Sequence, residues 1–238
     1  CSEDSDCEEP AVCIDMNCMV VEENEVDFCR IHWPLSSMVE TGEMITFYAR
    51  IYEEGITDQS AQTDLTNLVQ AEIGMKSSDA TDEEDFIWSS ATANLSYNAE
   101  NEGGELNNDE YMTELTFPME GDFVVAARFT VDHGQTWTLC DYGVDGAGSS
   151  DGYSAGDAAQ VTVLEPCEMG FEHDEDGVCV DIDECLENNG GCDLNADCTN
   201  NEGQAPSCDC QIGYDGDGQS CTDIDECAAE TDDCVQTC

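Results

Sequence analysis

The chain of 238 residues carries 57 acidic and only 4 basic side chains, which gives a formal net charge of −53 at pH 7. Because no basic patch can form, this composition excludes binding to the phosphates of nucleic acid and docking to an anionic membrane surface. Hydrophobic residues make up 40% of the chain, so we expect folded domains with acidic surfaces whose self-repulsion divalent cations would screen.

The 17 cysteines are unevenly distributed, and this distribution predicts the domain organisation. Four lie within the first 18 residues, Cys140 alone lies between Cys29 and Cys167, and 11 follow from Cys167 onward. So many cysteines indicate an extracellular, oxidising compartment and a disulfide framework. No apolar run is long enough for membrane insertion. We expect a disulfide knot at 1–25, a middle domain at 26–165, and small disulfide-rich modules at 166–180, 181–222 and 223–238.

The N-terminal segment "CSEDSDCEEPAVCIDMNC" resembles short four-cysteine knots of secreted and surface proteins. Five, five and four residues separate its cysteines, so it lacks the tight first pair of a zinc site, and secreted cysteines normally oxidise. We therefore expect disulfides here rather than zinc, with the pairs Cys1–Cys13 and Cys7–Cys18.

The middle domain is predicted to be all-β. "EMITFYARIYE" (43–53) alternates in polarity and is rich in β-branched and aromatic residues. In "GDFVVAARFTVDHGQTWTLCDY", Asp132, His133 and Gly134 separate two alternating runs and predict a hairpin turn. Seven or eight strands without a long amphipathic helix predict a β-sandwich of immunoglobulin-like type, tied by Cys29–Cys140 with about 4–5 kcal/mol in the chain-entropy model. Further strand candidates are "LVQAEIGM", "FIWSSATANLSY", "EYMTELTFP" and "DAAQVTVLE".

The motif "ARFTVDHGQTW" is similar to sandwich repeats of large extracellular bacterial proteins and of carbohydrate-active enzymes, but it identifies no activity. Five aromatic residues would form a stacking platform for glycans if they were exposed, whereas tryptophans at strand positions more often belong to a sandwich core. These five are Trp33, Trp88, Trp137, Tyr142 and Tyr153.

Catalysis has little support in the sequence, and we expect no enzyme. No nucleophile elbow occurs, and carboxylates this abundant carry little information about a site. The Gly-rich loop with Asp141, Asp145 and Asp151 is either a second cation site or a solvated turn. Asn94 begins the chain's N-glycosylation sequon and would have to face solvent to be glycosylated. Three histidines show no metal-ligand spacing: His32, His133 and His173.

The segment "DIDECLENNGGCDLNADCTNNEGQAPSCDCQIGYDGDGQSC" places six cysteines between 185 and 221. The single residue between Cys208 and Cys210, followed by "IGYDGDG" and Cys221, resembles an epidermal-growth-factor-like (EGF-like) module. Spacing alone leaves fifteen connectivities open. A module this small buries little apolar surface, so each disulfide would contribute about 2–5 kcal/mol in place of a core. The resemblance implies the pairs Cys185–Cys198, Cys192–Cys208 and Cys210–Cys221.

The stretch "DIDEC" (181–185) resembles the entry to the calcium-binding version of this module. Ca²⁺ takes six to eight oxygen ligands, and Asp181, the carbonyl of Ile182 and Glu184 would converge from one turn. The resemblance adds Asn200. Acids on a plain acidic surface are the alternative, but their joint match with the cysteine spacing favours Ca²⁺, with affinity on the order of 10⁻⁴–10⁻³ M. One departure from the family is that Ala205 and Pro206 stand where an aromatic residue is usual.

The same pattern recurs at both ends of this module. "CEMGFEHDEDGVC" resembles a closing hairpin with the disulfide Cys167–Cys179, and Phe171 and Tyr214 would pack against the following metal site or fill their own hairpins. If Cys227 pairs with Cys238, Cys234 is left without a partner, and we therefore expect the chain to be a segment of a longer, repetitive protein. A second "DIDEC" implies a second calcium site and another disulfide: Asp223, Ile224, Glu226 and the pair Cys227–Cys238.

Together these patterns predict a mainly β protein, with a central sandwich flanked by small disulfide-rich modules. Its expected function is that of an extracellular structural or adhesive segment, stiffened by calcium and assembling with copies of itself or other extracellular proteins into filaments. The alternative is a carbohydrate-binding, lectin-like surface module.

Overall fold

The computed structural model describes residues 26–102 and 107–225, and the backbone alone of 11–14 and 17–20. The chain divides into two compact units, Cys1–Glu165 and Pro166–Cys238. Near the start, β1 (Ala11–Ile14) and β2 (Asn17–Val20) form an antiparallel hairpin whose register places Cys13 opposite Cys18. The pairs expected for Cys1, Cys7, Cys13 and Cys18 fall outside the residues whose side chains are described.

The protein is mainly β, which confirms the predicted fold class. Residues 26–165, here called the sandwich, contain nine strands, one α-helical turn, α1 (Ala99–Glu102), and three short 3-10 turns in the part that is described. The strands are β3 (Phe28–Trp33), β4 (Ser36–Glu40), β5 (Met44–Tyr52), β6 (Gln70–Ser77), β7 (Ile87–Ala93), β8 (Asp109–Thr116), β9 (Gly121–Thr130), β10 (Thr138–Cys140) and β11 (Ala159–Leu164).

The strand count exceeds the predicted seven or eight because β4 carries no alternation signal in the sequence. Its five residues, "SSMVE", form a short strand that pairs in parallel with β11. The predicted hairpin is β9–β10, and its turn places both His133 and Gly134 at positive φ, 62° and 83°. The five other predicted stretches contain β5, β6, β7, β8 and β11.

Hydrogen bonds connect the strands in the order β3-β5-β8-β7-β6-β9-β11-β4, with β10 paired to β9. Strand β7 joins the two halves of this path, because residues 87–91 pair with β6 whereas Thr92 and Ala93 pair with β8. The two halves face each other across one core, in which Tyr111 of β8 meets Phe129 of β9 edge to face, with ring centroids 5.7 Å apart.

Alternation along β9 separates the core from the outer face of its sheet. Val125, Ala127 and Phe129 belong to the main core, whereas Val124 and Ala126 point to the other side and pack in a small second cluster with Phe86 and Ala158. The disulfide Cys29–Cys140 joins β3 to β10 inside the main core, and both of its cysteines are fully buried.

The C-terminal unit, residues 166–238, is described as far as residue 225 and consists of three antiparallel hairpins with 3-10 turns between the first and the second. The disulfides Cys167–Cys179, Cys185–Cys198, Cys192–Cys208 and Cys210–Cys221 are present, and Cys227 and Cys238 lie outside the described residues. The strands are β12 (Phe171–His173), β13 (Cys179–Asp181), β14 (Ala196–Asn201), β15 (Gln204–Cys210), β16 (Tyr214–Gly216) and β17 (Cys221–Asp223).

No helix within the described parts of the chain combines the length and the apolarity needed to cross a bilayer.

Candidate metal centre

The predicted calcium ligands lie on three adjoining elements of the C-terminal unit. Asp181 is the last residue of β13, Glu184 opens a 3-10 turn at 184–186, and Asn200 lies in β14. Asp183 starts this turn, because its side chain accepts a hydrogen bond of 3.1 Å from the Cys185 N–H. The turn leads directly from β13 to Cys185, so the disulfide Cys185–Cys198 fixes it beside β14.

Asp181 is held from both sides. Its Oδ2 accepts a hydrogen bond of 2.7 Å from the Asn200 side-chain amide, and its Oδ1 accepts one from the Gly203 N–H. The backbone continues this contact, since the Ile182 N–H donates to the Gly170 carbonyl at 2.9 Å. The structure therefore brings Asp181 and Asn200, which are 19 residues apart, into direct contact.

Two oxygens at this place have no hydrogen-bond partner. Glu184 Oε2 and Asn200 Oδ1 are buried, and they are the only such side-chain atoms in the described part of the C-terminal unit. An unpaired buried acceptor costs about 1–3 kcal/mol, more if it is charged. A hard cation prefers carboxylate and amide oxygens of this kind. The residues present therefore fit a bound Ca²⁺.

The hairpin that precedes the site packs against it through Phe171. A Cβ placed on Gly203, which has a φ of 64°, would lie 2.7 Å from Cε2 of Phe171. Only glycine leaves room for the ring at this turn between β14 and β15. Phe171 thus contacts the turn whose Gly203 N–H donates to Asp181.

The same backbone arrangement recurs around the second "DIDEC". Ile224 N–H donates to the Gly213 carbonyl at 2.8 Å, as Ile182 does to Gly170, and Tyr214 pairs with Asp223 as Phe171 pairs with Asp181. Asp223 and Ile224 therefore occupy positions equivalent to Asp181 and Ile182, whereas Glu226 lies outside the described residues.

Pro206, which with Ala205 departs from the pattern that the sequence resembles, packs beside the first disulfide of the module. A Cβ on Gly190 would lie 3.0 Å from Cγ of Pro206 and 2.7 Å from Sγ of Cys198. The proline ring therefore covers Gly190 beside the first disulfide of the module.

A further group of potential metal ligands, His173 with Cys167 and Cys179, does not form a metal site. Their ligand atoms lie within 4.8 Å of one another, but both sulfurs belong to one disulfide and so are not thiolates.

The Gly-rich loop after β10 does not collect its three aspartates. Asp141 is fully buried and accepts a hydrogen bond from the Ser154 N–H, while Asp151 accepts one from the Val144 N–H at 3.2 Å. Within the described residues, the carboxylate oxygens of Asp141, Asp145 and Asp151 do not form a group with spacings below 4.8 Å. The loop geometry therefore favours a turn stabilised by its own side chains.

None of the three tryptophans belongs to the main core, and Trp88 packs against the small second cluster, where its ring stacks on Phe86. Trp88 and Trp137 both contact Arg128, whose guanidinium carbon lies 4.4 and 4.5 Å from their ring centroids. Trp88 has room to lie across the sheet because it stands opposite Gly74. Tyr142 lies against Arg30, Tyr153 lies against Phe86, and only Trp33 is largely exposed, at 59%.

All four basic side chains of the chain contact aromatic rings, which the sequence analysis did not identify. Arg50 lies over Tyr97 at 4.8 Å and Lys76 over Phe86 at 5.1 Å. The pairing of Trp88 on β7 with Arg128 on β9 bridges the intervening strand β6, so only the strand order reveals it. These contacts neutralise no charge, but they hold the few cations on the outer faces of the sandwich.

Asn94 is half-buried, and its side-chain nitrogen donates a hydrogen bond of 2.8 Å to Glu110. Glycosylation of Asn94 remains a prediction.

A family model matches a segment of the C-terminal unit. Residues 185–221 match the family model of the EGF domain. The EGF-containing fibulin-like extracellular matrix protein 1 of Rattus norvegicus is 44% identical over 62 residues, which are 26% of this chain and 12% of that protein. Nidogen-1 of Mus musculus is 50% identical over 44 residues, which are 18% of this chain and 4% of nidogen-1.

The chain thus spans a small fraction of the relatives it matches. Among solved structures, a family 123 glycoside hydrolase from Clostridium perfringens aligns with 56% of this chain and 23% of its own chain at 8% identity. Its TM-score of 0.25 is too low to indicate a shared fold. The EGF domain, together with five disulfides in the described residues, identifies an extracellular modular protein.

Proposed function

We propose that the chain is a calcium-stiffened structural segment of an extracellular matrix protein. The unpartnered, buried oxygens of Glu184 and Asn200 carry this proposal, because Asn200 is hydrogen-bonded to Asp181 and Glu184 opens the turn three residues after it, where the sequence predicts a calcium ligand set. The name of the fibulin-like relative, which describes an extracellular matrix protein, supports the same role. The first Ca²⁺ would be held by Asp181, the Ile182 carbonyl, Glu184 and Asn200, and the second by Asp223, the Ile224 carbonyl and Glu226.

The chain's own residues supply the mechanism of stiffening. Asp181 ends the hairpin β12–β13, Glu184 lies on the turn, and Asn200 lies on β14, so a common ligand would fix all three elements together. Phe171 against Gly203 already joins the hairpin to the module by packing. When bound, the ion supplies two positive charges that offset the repulsion between the carboxylates. The hairpin at 166–180 and the module at 181–222 would then move as one piece.

The acidic surface of the chain also bears on its assembly and its partners. The charge of −53 repels other copies of the chain, so association into filaments, or adhesion to other extracellular proteins, would require divalent cations. The sandwich would present its faces and edges to these partners. The parallel pairing of β4 with β11 supports an immunoglobulin-like arrangement for it. We propose no catalytic role.

Scattering and sedimentation test this function. We expect Ca²⁺ in the millimolar range to make the chain less flexible in small-angle scattering, and Glu184→Gln to abolish the response. Glu187→Gln, a change at an exposed glutamate three residues away, is the matched control and should respond like the wild type. Equal scattering curves with Ca²⁺ and with chelator would overturn the proposal.

Carbohydrate binding is the second candidate function, and the exposure of Trp33 favours it. Its site is argued in the next subsection.

A further inference from the structure

A depression of about 270 Å³ lies on the outer face of the sheet half that contains β3, β5 and β8. Its lining combines two aromatic rings with three polar side chains, and no function considered so far uses it. The lining residues are His32, Trp33, Tyr48, Asn94 and Glu110.

A β-bulge places the exposed ring at this depression. The register of β3 against β5 shifts between Ile31 and Trp33, so Trp33 stands opposite Tyr48, whose neighbours Phe47 and Ala49 face the core. The two ring centroids are 6.0 Å apart, at an angle of 47°. Bulges re-aim side chains in this manner. Trp33 remains 59% exposed, so one face of a large apolar ring is open to a ligand.

The floor of the depression is polar but electrically balanced. Arg50 Nε and Glu110 Oε2 form an ion pair at 2.9 Å, and both side chains are about 95% buried or more. The other carboxylate oxygen of Glu110 accepts the hydrogen bond from Asn94. His32 is neutral at pH 7, because burial, and then the charges of Arg50 and Arg30, lower its pKa to about 4.

These charges restrict the class of ligand. The field of a chain with a net charge of −53 repels anions. The two carboxylate oxygens of Glu110 are already engaged by Arg50 and Asn94, so the floor offers no unpaired carboxylate to a cation. A neutral ligand with an apolar face and several hydroxyl groups suits an aromatic wall with a hydrogen-bonding floor.

A second depression, of about 400 Å³, shares Tyr48 with the first. Hydroxyl-bearing side chains, among them Thr46, Ser90 and Thr92, line it together with Met112 and Glu114. Two depressions that meet at one aromatic residue fit consecutive units of an oligomer.

We propose that this face of the sandwich binds a neutral oligosaccharide, with one sugar ring stacked on Trp33 above Asn94 and Glu110 and the next unit beyond Tyr48, along Thr46 and Thr92. The proposal uses residues 32–114 alone and does not rest on calcium binding in the C-terminal unit.

Calorimetric titration of the intact chain tests it with a panel of oligosaccharides. The neutral probes are maltohexaose, cellohexaose, xylohexaose and mannohexaose, and the charged probes are a galacturonic acid hexamer and a glucosamine hexamer. We expect at least one neutral probe to bind and the galacturonate to give no heat. A chelator should not change the affinity for the oligosaccharide. The oligosaccharide proposal can therefore succeed or fail independently of the calcium proposal.

Variants locate the binding. Trp33→Ala should weaken it about tenfold or more, since it removes the stacking surface, whereas Trp33→Tyr should restore most of it. Met44→Ala, a change at a 67% exposed residue of β5 outside both depressions, should leave the affinity unchanged. The proposal is wrong if no neutral probe binds at millimolar concentration, or if Trp33→Ala, folded by its thermal melt, binds as the wild type does.

Discussion

The sandwich and the C-terminal unit achieve stability in opposite ways. In the sandwich, Phe47, Ile73 and Phe129 are fully buried in one core, and a single disulfide lies among them. In the described part of the C-terminal unit, only Cys192 and Ala196 are buried among the hydrophobic residues, while four disulfides join the hairpins. Apolar burial therefore holds the first unit and covalent bonds hold the second.

The difference determines where each unit can carry a function. A packed core leaves the outer faces of the sandwich free to hold aromatic and charged side chains, as Trp33 and the stacked Arg128 illustrate. The C-terminal unit has no core to position a site, so its candidate ligands come from turns and strand ends next to disulfides. Changing one type of stabilisation should therefore affect one unit and spare the other.

The largest effect expected is from reduction of the disulfides. A thiol reductant should unfold residues 185–221, since three bonds of about 2–5 kcal/mol each replace a core there. The sandwich should stay folded, because Cys29 and Cys140 are fully buried and so protected from the reductant. Hydrogen exchange resolved by peptide would distinguish the two units, and loss of protection in the sandwich first would contradict the comparison.

Truncation of a core side chain should destabilise the sandwich and spare the C-terminal unit. Phe47→Ala should lower the free energy of unfolding of the sandwich by about 3–5 kcal/mol, because Phe47 is fully buried. Leu194→Ala, at a residue that is 93% exposed in the C-terminal unit, should change stability by less than about 0.5 kcal/mol. Denaturant titration would give the first value by tryptophan fluorescence, since all three tryptophans lie in the sandwich; a small loss for Phe47→Ala would contradict the account.

A buried carboxylate should make the stability of the sandwich depend on pH. Burial raises the pKa of Asp109 from 3.8 to about 7, and the charges of Asp64 and Asp58 add to the rise. Because the unfolded chain ionises first, stability falls as pH rises from about 4 to about 7. Asp109→Asn should therefore match the wild type near pH 4 and exceed it by up to about 4 kcal/mol at pH 8, the limit that a rise of the pKa from 3.8 to about 7 sets.

Denaturant titrations of the wild type and of Asp109→Asn between pH 4 and pH 8 measure this difference in stability. Glu53 and His32 also have shifted pKa values, but they are present in both proteins, so their contributions cancel in the difference. A variant less stable than the wild type at pH 8 would show that the hydrogen bond from the Asp64 N–H to the Asp109 carboxylate outweighs the cost of burying its charge, which would contradict the prediction.

The smallest effect expected concerns the stacked arginine. Trp137→Leu should lower the stability of the sandwich by about 1 kcal/mol, because it removes one of the two rings that contact Arg128. The ion pair between Arg128 and Glu72 is still present in the variant. The loss of stability should therefore persist when the salt concentration is lowered. Thermal unfolding measures this change, and an unchanged melting temperature would contradict the contact's contribution.

Local patterns account for what the sequence predicted correctly. Alternation in 43–53 predicted β5. Asp181 of "DIDEC" lies beside Asn200 as expected, because the disulfide Cys185–Cys198 fixes the turn after Asp181 next to β14. Non-local pairing accounts for what was missed. The outward position of Trp33 depends on a bulge, and the contact of Trp88 with Arg128 depends on strand order. Strand β4 forms through its pairing with β11 and has no pattern of its own.

Calcium binding by the C-terminal unit is the central claim, and calorimetric titration of the intact chain with Ca²⁺ tests it most directly. We expect binding with a dissociation constant on the order of 10⁻⁴–10⁻³ M. Glu184→Gln should remove the binding that depends on Asp181 and Asn200, while Glu187→Gln should retain it. Absence of heat in the wild type, or equal titrations for wild type and Glu184→Gln, would contradict the account.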